Sequence, residues 1–182
     1  YRKGCLTLYA LRDYIGEANM NRALAAFVEE TAFTGPPYPT SADLMSHFRA
    51  VTPDSLNYLL EDLFETITLY GNRTVGADAW QQEDDRWVVD LEVEGRKLRA
   101  DGQGVESPID MDEWIDIGIF GSEVDGEPSV LFLEKRRVRS GATTISITVD
   151  EEPVRAGIDP YHKLIDREIR DNVRKITRTS AP

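Results

Sequence analysis

Leu63-Phe64-Glu65-Thr66-Ile67-Thr68-Leu69-Tyr70-Gly71-Asn72-Arg73 is the stretch across which the apolar period of this 182-residue chain changes. Before Gly71 the apolar residues recur at helical spacing, and after Asn72 they alternate with polar ones. A single change of period predicts an α+β chain in two parts. Residues 1–71 read as a four-helix segment. Residues 72–182 read as an antiparallel β-sandwich of immunoglobulin-like size with a short C-terminal extension.

On the helical side, Tyr1, Gly4, Leu8, Leu11 and Ile15 form one stripe, while Leu6, Tyr9 and Ala10 cover another side. A helix apolar on two sides is one buried in a larger body, and Gly16 supplies its stop. Met20, Ala23, Leu24, Phe27 and Val28 give a second helix its inner face. Gly35-Pro36-Pro37-Tyr38-Pro39 forces a loop, because proline removes a donor and biases its predecessor away from helix. Thr40 or Ser41 caps a third helix carrying Leu44, Phe48 and Val51. Thr52, Pro53 and Asp54 read as the cap and first turn of a fourth, which buries Leu56, Leu59, Leu60, Leu63, Ile67 and Tyr70.

Working outward in the other direction, Trp87, Val89, Leu91 and Val93 share one face of a strand ending at Gly95. Ile109, Met111, Ile115, Ile117 and Ile119 share one parity, interrupted at Glu113. Val130, Phe132 and Val138, then Ile145, Ile147 and Val149, continue the alternation. Asp84-Asp85, Asp101-Gly102, Asp125-Gly126 and Ser140-Gly141 mark the turns between six to eight short strands. Gly157-Ile158-Asp159-Pro160-Tyr161 starts a turn, Leu164 to Arg167 reads as a short helical turn, and residues beyond Lys175 read as a frayed end.

Composition narrows the function classes. The net charge of -12 divides into -4 over residues 1–70 and -8 over 71–182, so the acidity is spread rather than held in a tail. Such a chain lacks the basic footprint that phosphate backbones require, which argues against nucleic acid as a partner. One cysteine, Cys5, excludes an intrachain disulfide. No run approaches the roughly 18 apolar residues that cross a bilayer.

The opening residues carry a family resemblance. Tyr1, one variable residue (here Arg2), then Lys3-Gly4 at the head of a hydrophobic helix closed by Gly16 resembles a segment of the gluzincin zinc aminopeptidases, of the alanyl aminopeptidase and leukotriene hydrolase type. Tyr9 to Glu17, Gly35 to Ser41, Thr52 to Leu56, Leu63 to Tyr70 and Gly157 to Pro160 more specifically resemble a bacterial branch in which an ABC-type permease is fused to a C-terminal aminopeptidase. The resemblance implies that residues 1–71 are the helical end of a thermolysin-like catalytic domain and 72–182 the β-domain after it. It implies a parent that is a zinc-dependent, membrane-anchored bacterial aminopeptidase removing N-terminal residues from peptides. There Tyr1 donates a hydrogen bond to the oxyanion at the scissile carbonyl, while zinc activates the attacking water. The zinc helix, its downstream glutamate and the substrate-amine motif lie upstream of that tyrosine in the family, and none occurs in this sequence. The expectation is a C-terminal piece, inactive and zinc-free when isolated, whose first helix uses Leu6 and Tyr9 to pack on the upstream catalytic domain or, without it, on a second copy. The rival expectation is a non-catalytic accessory domain of a transporter-associated membrane protein.

Other candidates read as structural. Cys5, His47 and His162 have no zinc-ligand spacing. Asp110, Asp112, Glu113 and Asp116 lack the glycine and spacing of a calcium loop and read as a solvated edge. Asp159, Asp166 and Asp171 read as turn and cap residues, with salt bridges to the upstream domain as the alternative. Gly102-Gln103-Gly104 is a turn, and Asn72-Arg73-Thr74 matches a glycosylation sequon.

Overall fold

The computed structural model describes residues 2–181. Helix α1 (Arg2–Ile15) buries Thr7, Ala10, Leu11 and Ile15, residues spaced three to four apart that share one face. That face lies between the two stripes read from the sequence, so Leu8 and Tyr9 are left 36% and 49% exposed. The Gly16 N–H closes the helix on the Arg12 carbonyl, 2.9 Å away. Gly16 itself sits at φ 83°, ψ 152°, a conformation that is essentially glycine-only. The chain therefore turns in one residue into α2 (Glu17–Thr31), whose Met20 and Ala23 are buried.

Helix α3 (Ser41–Val51) begins as expected at Thr40. The Thr40 N–H and hydroxyl both donate to Asp43 Oδ2, at 2.7 and 2.8 Å, which fixes the chain entry. Thr52 does not cap a following helix. It ends α3, its hydroxyl donating to the Phe48 carbonyl at 2.7 Å, and Pro53 leads into a single 3-10 turn, Asp54–Leu56.

The fourth helix is shorter than its apolar pattern. An α-turn, α4 (Asn57–Leu60), widens into a π-turn over Glu61–Glu65 and stops at Thr66. Both the N–H and the hydroxyl of Thr66 donate to the Glu61 carbonyl at 2.9 Å, the five-residue spacing of a π-turn. Ile67 and Tyr70 therefore lie not on a helix but on a strand, β1 (Ile67–Tyr70), whose Thr68 and Tyr70 point inward and Ile67 outward. The run Ile67-Thr68-Leu69-Tyr70 is rich in β-branched and aromatic residues, and here strand preference overrides a coincidental helical spacing.

Contacts divide the chain into two units, Tyr1–Thr68 and Leu69–Pro182, three residues before the boundary expected from the period change. The helical unit has its own core: Ala10, Leu11, Ile15, Met20, Ala23, Phe48, Leu59, Leu60 and Leu63. Each fully buried leucine or phenylalanine there contributes about 1.5–3 kcal/mol of transfer free energy.

The two four-stranded sheets of the second unit are antiparallel apart from one short edge strand. Strands β2 (Arg73–Gln81), β3 (Trp87–Gly95) and β8 (Gly141–Val149) form a sheet ordered β11-β2-β3-β8, with β11 (Thr177–Arg178) parallel to β2. Strands β6 (Asp112–Val124), β7 (Glu127–Arg139), β9 (Arg155–Ile158) and β10 (Val173–Lys175) form a second, ordered β10-β9-β6-β7. A small third sheet joins β1 to β4 (Lys97–Ala100) and β5 (Glu106–Ile109). One core collects side chains from both four-stranded sheets: Ala77, Ala79, Val89, Leu91, Val93, Ile147 and Val149 from one, and Ile115, Ile117, Ile119, Val138, Ala156 and Ile158 from the other.

Two expectations about the C-terminal stretch are corrected. Leu164 to Arg167 is not helical; a 3-10 turn comes later, at Ile169–Asp171. The segment beyond Lys175 is not frayed, because the Ile176 N–H donates to the Val154 carbonyl and the Thr179 N–H to that of Ala79, both at 2.9 Å. Among the described residues no helix is long and apolar enough to cross a membrane.

Candidate functional site

Tyr1, the predicted oxyanion donor, lies outside the described residues. The first turn of α1, directly after it, is held in place within the helical unit. Lys3 Nζ donates to the Thr66 carbonyl at 3.1 Å, tying that turn to the residue that ends the π-turn. Behind it the Thr68 hydroxyl lies 2.9 Å from that of Thr66 and donates to buried Asp62 at 3.2 Å.

The scattered histidines are engaged or isolated. His47 lies 3.1 Å from Glu30 and edge-on to Phe27, so it pins α3 to α2. His162 sits at φ 53° in the turn after β9, its N–H donating to the Asp159 carbonyl. Cys5 is exposed. Among the described residues no three His, Cys, Asp or Glu side chains are grouped to hold a metal ion.

The acidic cluster is not a solvated edge, except at Asp110 and Asp112. Glu113 and Asp116 are buried, each neutralised by lysine. Glu113 continues the inward parity of Ile115, Ile117 and Ile119 as a charge, bonded to Lys97 Nζ and accepting from Tyr70 Oη at 2.8 Å. Asp116 faces the other side of β6 and accepts from Lys163 Nζ at 2.6 Å and Lys135 Nζ at 2.9 Å. Exposed Asp112 accepts from Arg137 at 2.8 Å, and that hydrogen bond holds its carboxyl below the usual carboxylate range. Ion pairs with lysine and arginine account for the placing of these carboxylates.

Asp159 and Asp166 organise backbone, as expected of turn residues. Asp159 accepts from the N–H groups of Lys163 and Leu164, at 2.9 and 3.0 Å. Burial nevertheless pushes its carboxyl above the ordinary value, the two backbone bonds offsetting only part of the desolvation. Asp166 accepts from the N–H groups of Asn72 and Glu168, and burial raises it as well. The Asn72 side chain is fully buried, so the sequon there is closed to glycosylation in the folded unit.

One open feature of the β-unit has no counterpart in the sequence reading. A cleft of about 520 Å3 lies against the sheet β10-β9-β6-β7, lined by Phe120, Pro160, Tyr161, Ile169 and Val173 together with Arg155, Arg170, Lys175, His162 and Glu127. Register builds it. Lys175 faces Arg155 across β10 and β9, and Arg155 faces Phe120 across β9 and β6. Gly118 makes room for the floor, since a Cβ there would lie 2.8 Å from the Phe120 ring and 2.9 Å from Pro160 Cγ. Tyr161 stands edge-on to Phe120 at 6.2 Å between ring centres, and its ring lies 5.8 Å from Lys163 Nζ. Six Lys and Arg fall between 155 and 175 in an acidic chain, and only the strand pairing shows that Arg155, Arg170 and Lys175 are the three that line this cleft.

A scan against protein-family models and a search of curated proteins both return no match for this chain.

Proposed function

We propose that the chain is the C-terminal part of a zinc aminopeptidase of the gluzincin type: a helical unit that completes the catalytic domain, followed by an immunoglobulin-like β-sandwich. The observation that carries the reading is the construction of α1. Lys3-Gly4 occupies its first turn, Gly16 closes it at positive φ, and Lys3 ties that first turn to Thr66. A helix start fixed in this way is suited to presenting the residue before it to a reacting carbonyl.

In this reading the parent supplies zinc and the water it activates. Tyr1 supplies a phenolic O–H to the developing oxyanion without ionising, a role typically worth a hundred- to a thousandfold in rate. The partly exposed Leu8 and Tyr9 belong to the side of α1 that would pack on the catalytic helices. The β-unit contributes no zinc ligand.

The experiment is hydrolysis of aminoacyl chromogenic substrates by the full-length protein. Chelator-sensitive turnover, restored by zinc and absent from the 182-residue chain alone, supports the reading. A full-length protein that binds no zinc and turns over no substrate refutes it. That result would favour an accessory module of a transporter-associated membrane protein, a reading to which the cleft of the β-unit lends itself.

A further inference from the structure

The cleft against the β10-β9-β6-β7 sheet is electrostatically unlike the rest of this chain. Three fixed cations, Arg155, Arg170 and Lys175, line it against one carboxylate, Glu127, in a protein of net charge -12. Several cations elsewhere are answered by a carboxylate: Arg12 by Glu17, Arg49 by Glu65, Arg73 by Glu94, Arg86 by Asp84, Arg167 by Glu106. The side chains of Arg155, Arg170 and Lys175 make no ion pair or hydrogen bond with any described residue. Two of them, Arg155 and Lys175, are direct cross-strand partners, an arrangement in which like charges repel. A fold that places two cations side by side beside a hollow, and leaves both unanswered, gains when an anion enters.

The remaining walls decide what kind of anion. Phe120, Tyr161, Pro160, Ile169 and Val173 make much of the lining apolar. The lining holds no glycine and no N-terminus of a long helix, the usual sources of the backbone N–H groups that cradle phosphate. Small-ligand sites of a few hundred Å3 commonly combine an apolar body with a few polar groups that fix orientation. The complement is a carboxylate carried on an apolar body a few residues in size.

We propose that this cleft binds the C-terminal end of a short apolar peptide, with the free α-carboxylate held by Arg155 and Lys175 and the terminal side chain against Phe120 and Tyr161. Assigning the carboxylate to a peptide rests on the aminopeptidase reading; the anion site itself does not.

The test is calorimetric titration of the 182-residue chain with N-acetyl-Ala-Phe. The expected Kd is on the order of 10–100 µM for a ligand of that size. The C-terminal amide of the same peptide binds at least tenfold more weakly, as does N-acetyl-Glu-Phe amide, which carries only a side-chain carboxylate. Arg155→Gln and Lys175→Gln each weaken the acid at least fivefold with tryptophan emission unchanged, whereas Arg86→Gln leaves it unaltered. Should either cleft variant fail to fold, the wild-type chain still decides. Raising salt from about 50 to about 500 mM shortens the Debye length severalfold and must weaken the acid more than the amide. Equal binding of acid and amide, equal binding of the side-chain carboxylate, displacement by inorganic phosphate at similar concentration, or no heat at millimolar peptide would each overturn the assignment. Loss of turnover or zinc in the full-length protein would overturn the aminopeptidase reading and leave this titration untouched, so the two failures are distinguishable.

Discussion

Replacing Lys97 by methionine removes the ammonium bonded to Glu113 while keeping most of the volume. Both residues are nearly closed to solvent, at 6% and 4% exposure, so Glu113 would be left as a buried carboxylate with Tyr70 Oη donating to it. Breaking a buried ion pair by removing one partner costs about 3–5 kcal/mol. An independent ceiling comes from protonation, because a buried carboxyl that loses its ammonium can shed its charge by taking a proton. At pH 7 that costs an ordinary glutamate roughly 3.7 kcal/mol, and at pH 5 only about 1 kcal/mol. Lys97→Met should therefore destabilise the β-unit by about 3–4 kcal/mol at pH 7, and the loss should shrink toward about 1 kcal/mol at pH 5. Glu113→Gln alone removes the carboxylate bonded to Lys97 in a buried place and should cost a similar amount. The double variant should recover much of the loss, with a coupling of at least about 2 kcal/mol. Trp80, Trp87 and Trp114 all lie in the unit Leu69–Pro182, so urea unfolding followed by tryptophan emission reads this unit selectively. A Lys97→Met cost below about 0.5 kcal/mol at pH 7, or a cost independent of pH, would refute the buried-pair argument.

Gly16→Ala should destabilise the helical unit by about 1–3 kcal/mol, because nothing crowds a Cβ there but the backbone lies at φ 83°; thermal loss of the helical circular dichroism measures it, and an unchanged midpoint would contradict the strain argument. Asp159 has a raised carboxyl, so its contribution is full below the ordinary carboxyl value and declines as pH rises through the raised one. The stability advantage of the wild type over Asp159→Asn should accordingly narrow over that window, and an advantage that widens with pH would show that the two backbone bonds outweigh burial. The isolated chain should self-associate through the exposed side of α1, and Tyr9→Glu should return it to a monomer in light scattering; a chain already monomeric at millimolar concentration would remove that surface from consideration.

What the sequence disclosed was period, and what it concealed was partnership. The helical face of α3 and the alternation of β3 and β8 are local signals, and these elements form where expected. The fourth helix misleads because Leu63, Ile67 and Tyr70 keep a helical spacing although the chain turns to strand after Leu63, where Ile67 faces outward and Tyr70 inward; the Thr66 bonds to Glu61 mark the change. Glu113 looked like an interruption in a strand because its partners come from elsewhere, Lys97 at the start of β4 and Tyr70 at the end of β1. Asp116 is similar, since Lys163 lies 47 residues downstream. Arg155 and Lys175 look like surface charges until the β9–β10 register sets them opposite each other. Contacts between residues far apart in the chain leave no periodic trace, and both the buried pairs and the cleft are made of such contacts.

The central claim, that Tyr1 stabilises a transition-state oxyanion in a zinc aminopeptidase, is tested most directly by the kcat of Tyr1→Phe in the full-length protein. A phenol that bonds the oxyanion more strongly than the ground-state carbonyl acts on turnover, so kcat should fall about a hundred- to a thousandfold with KM little changed. Wild-type kcat in the variant, under conditions where the unmodified enzyme is active and zinc-loaded, would contradict the account.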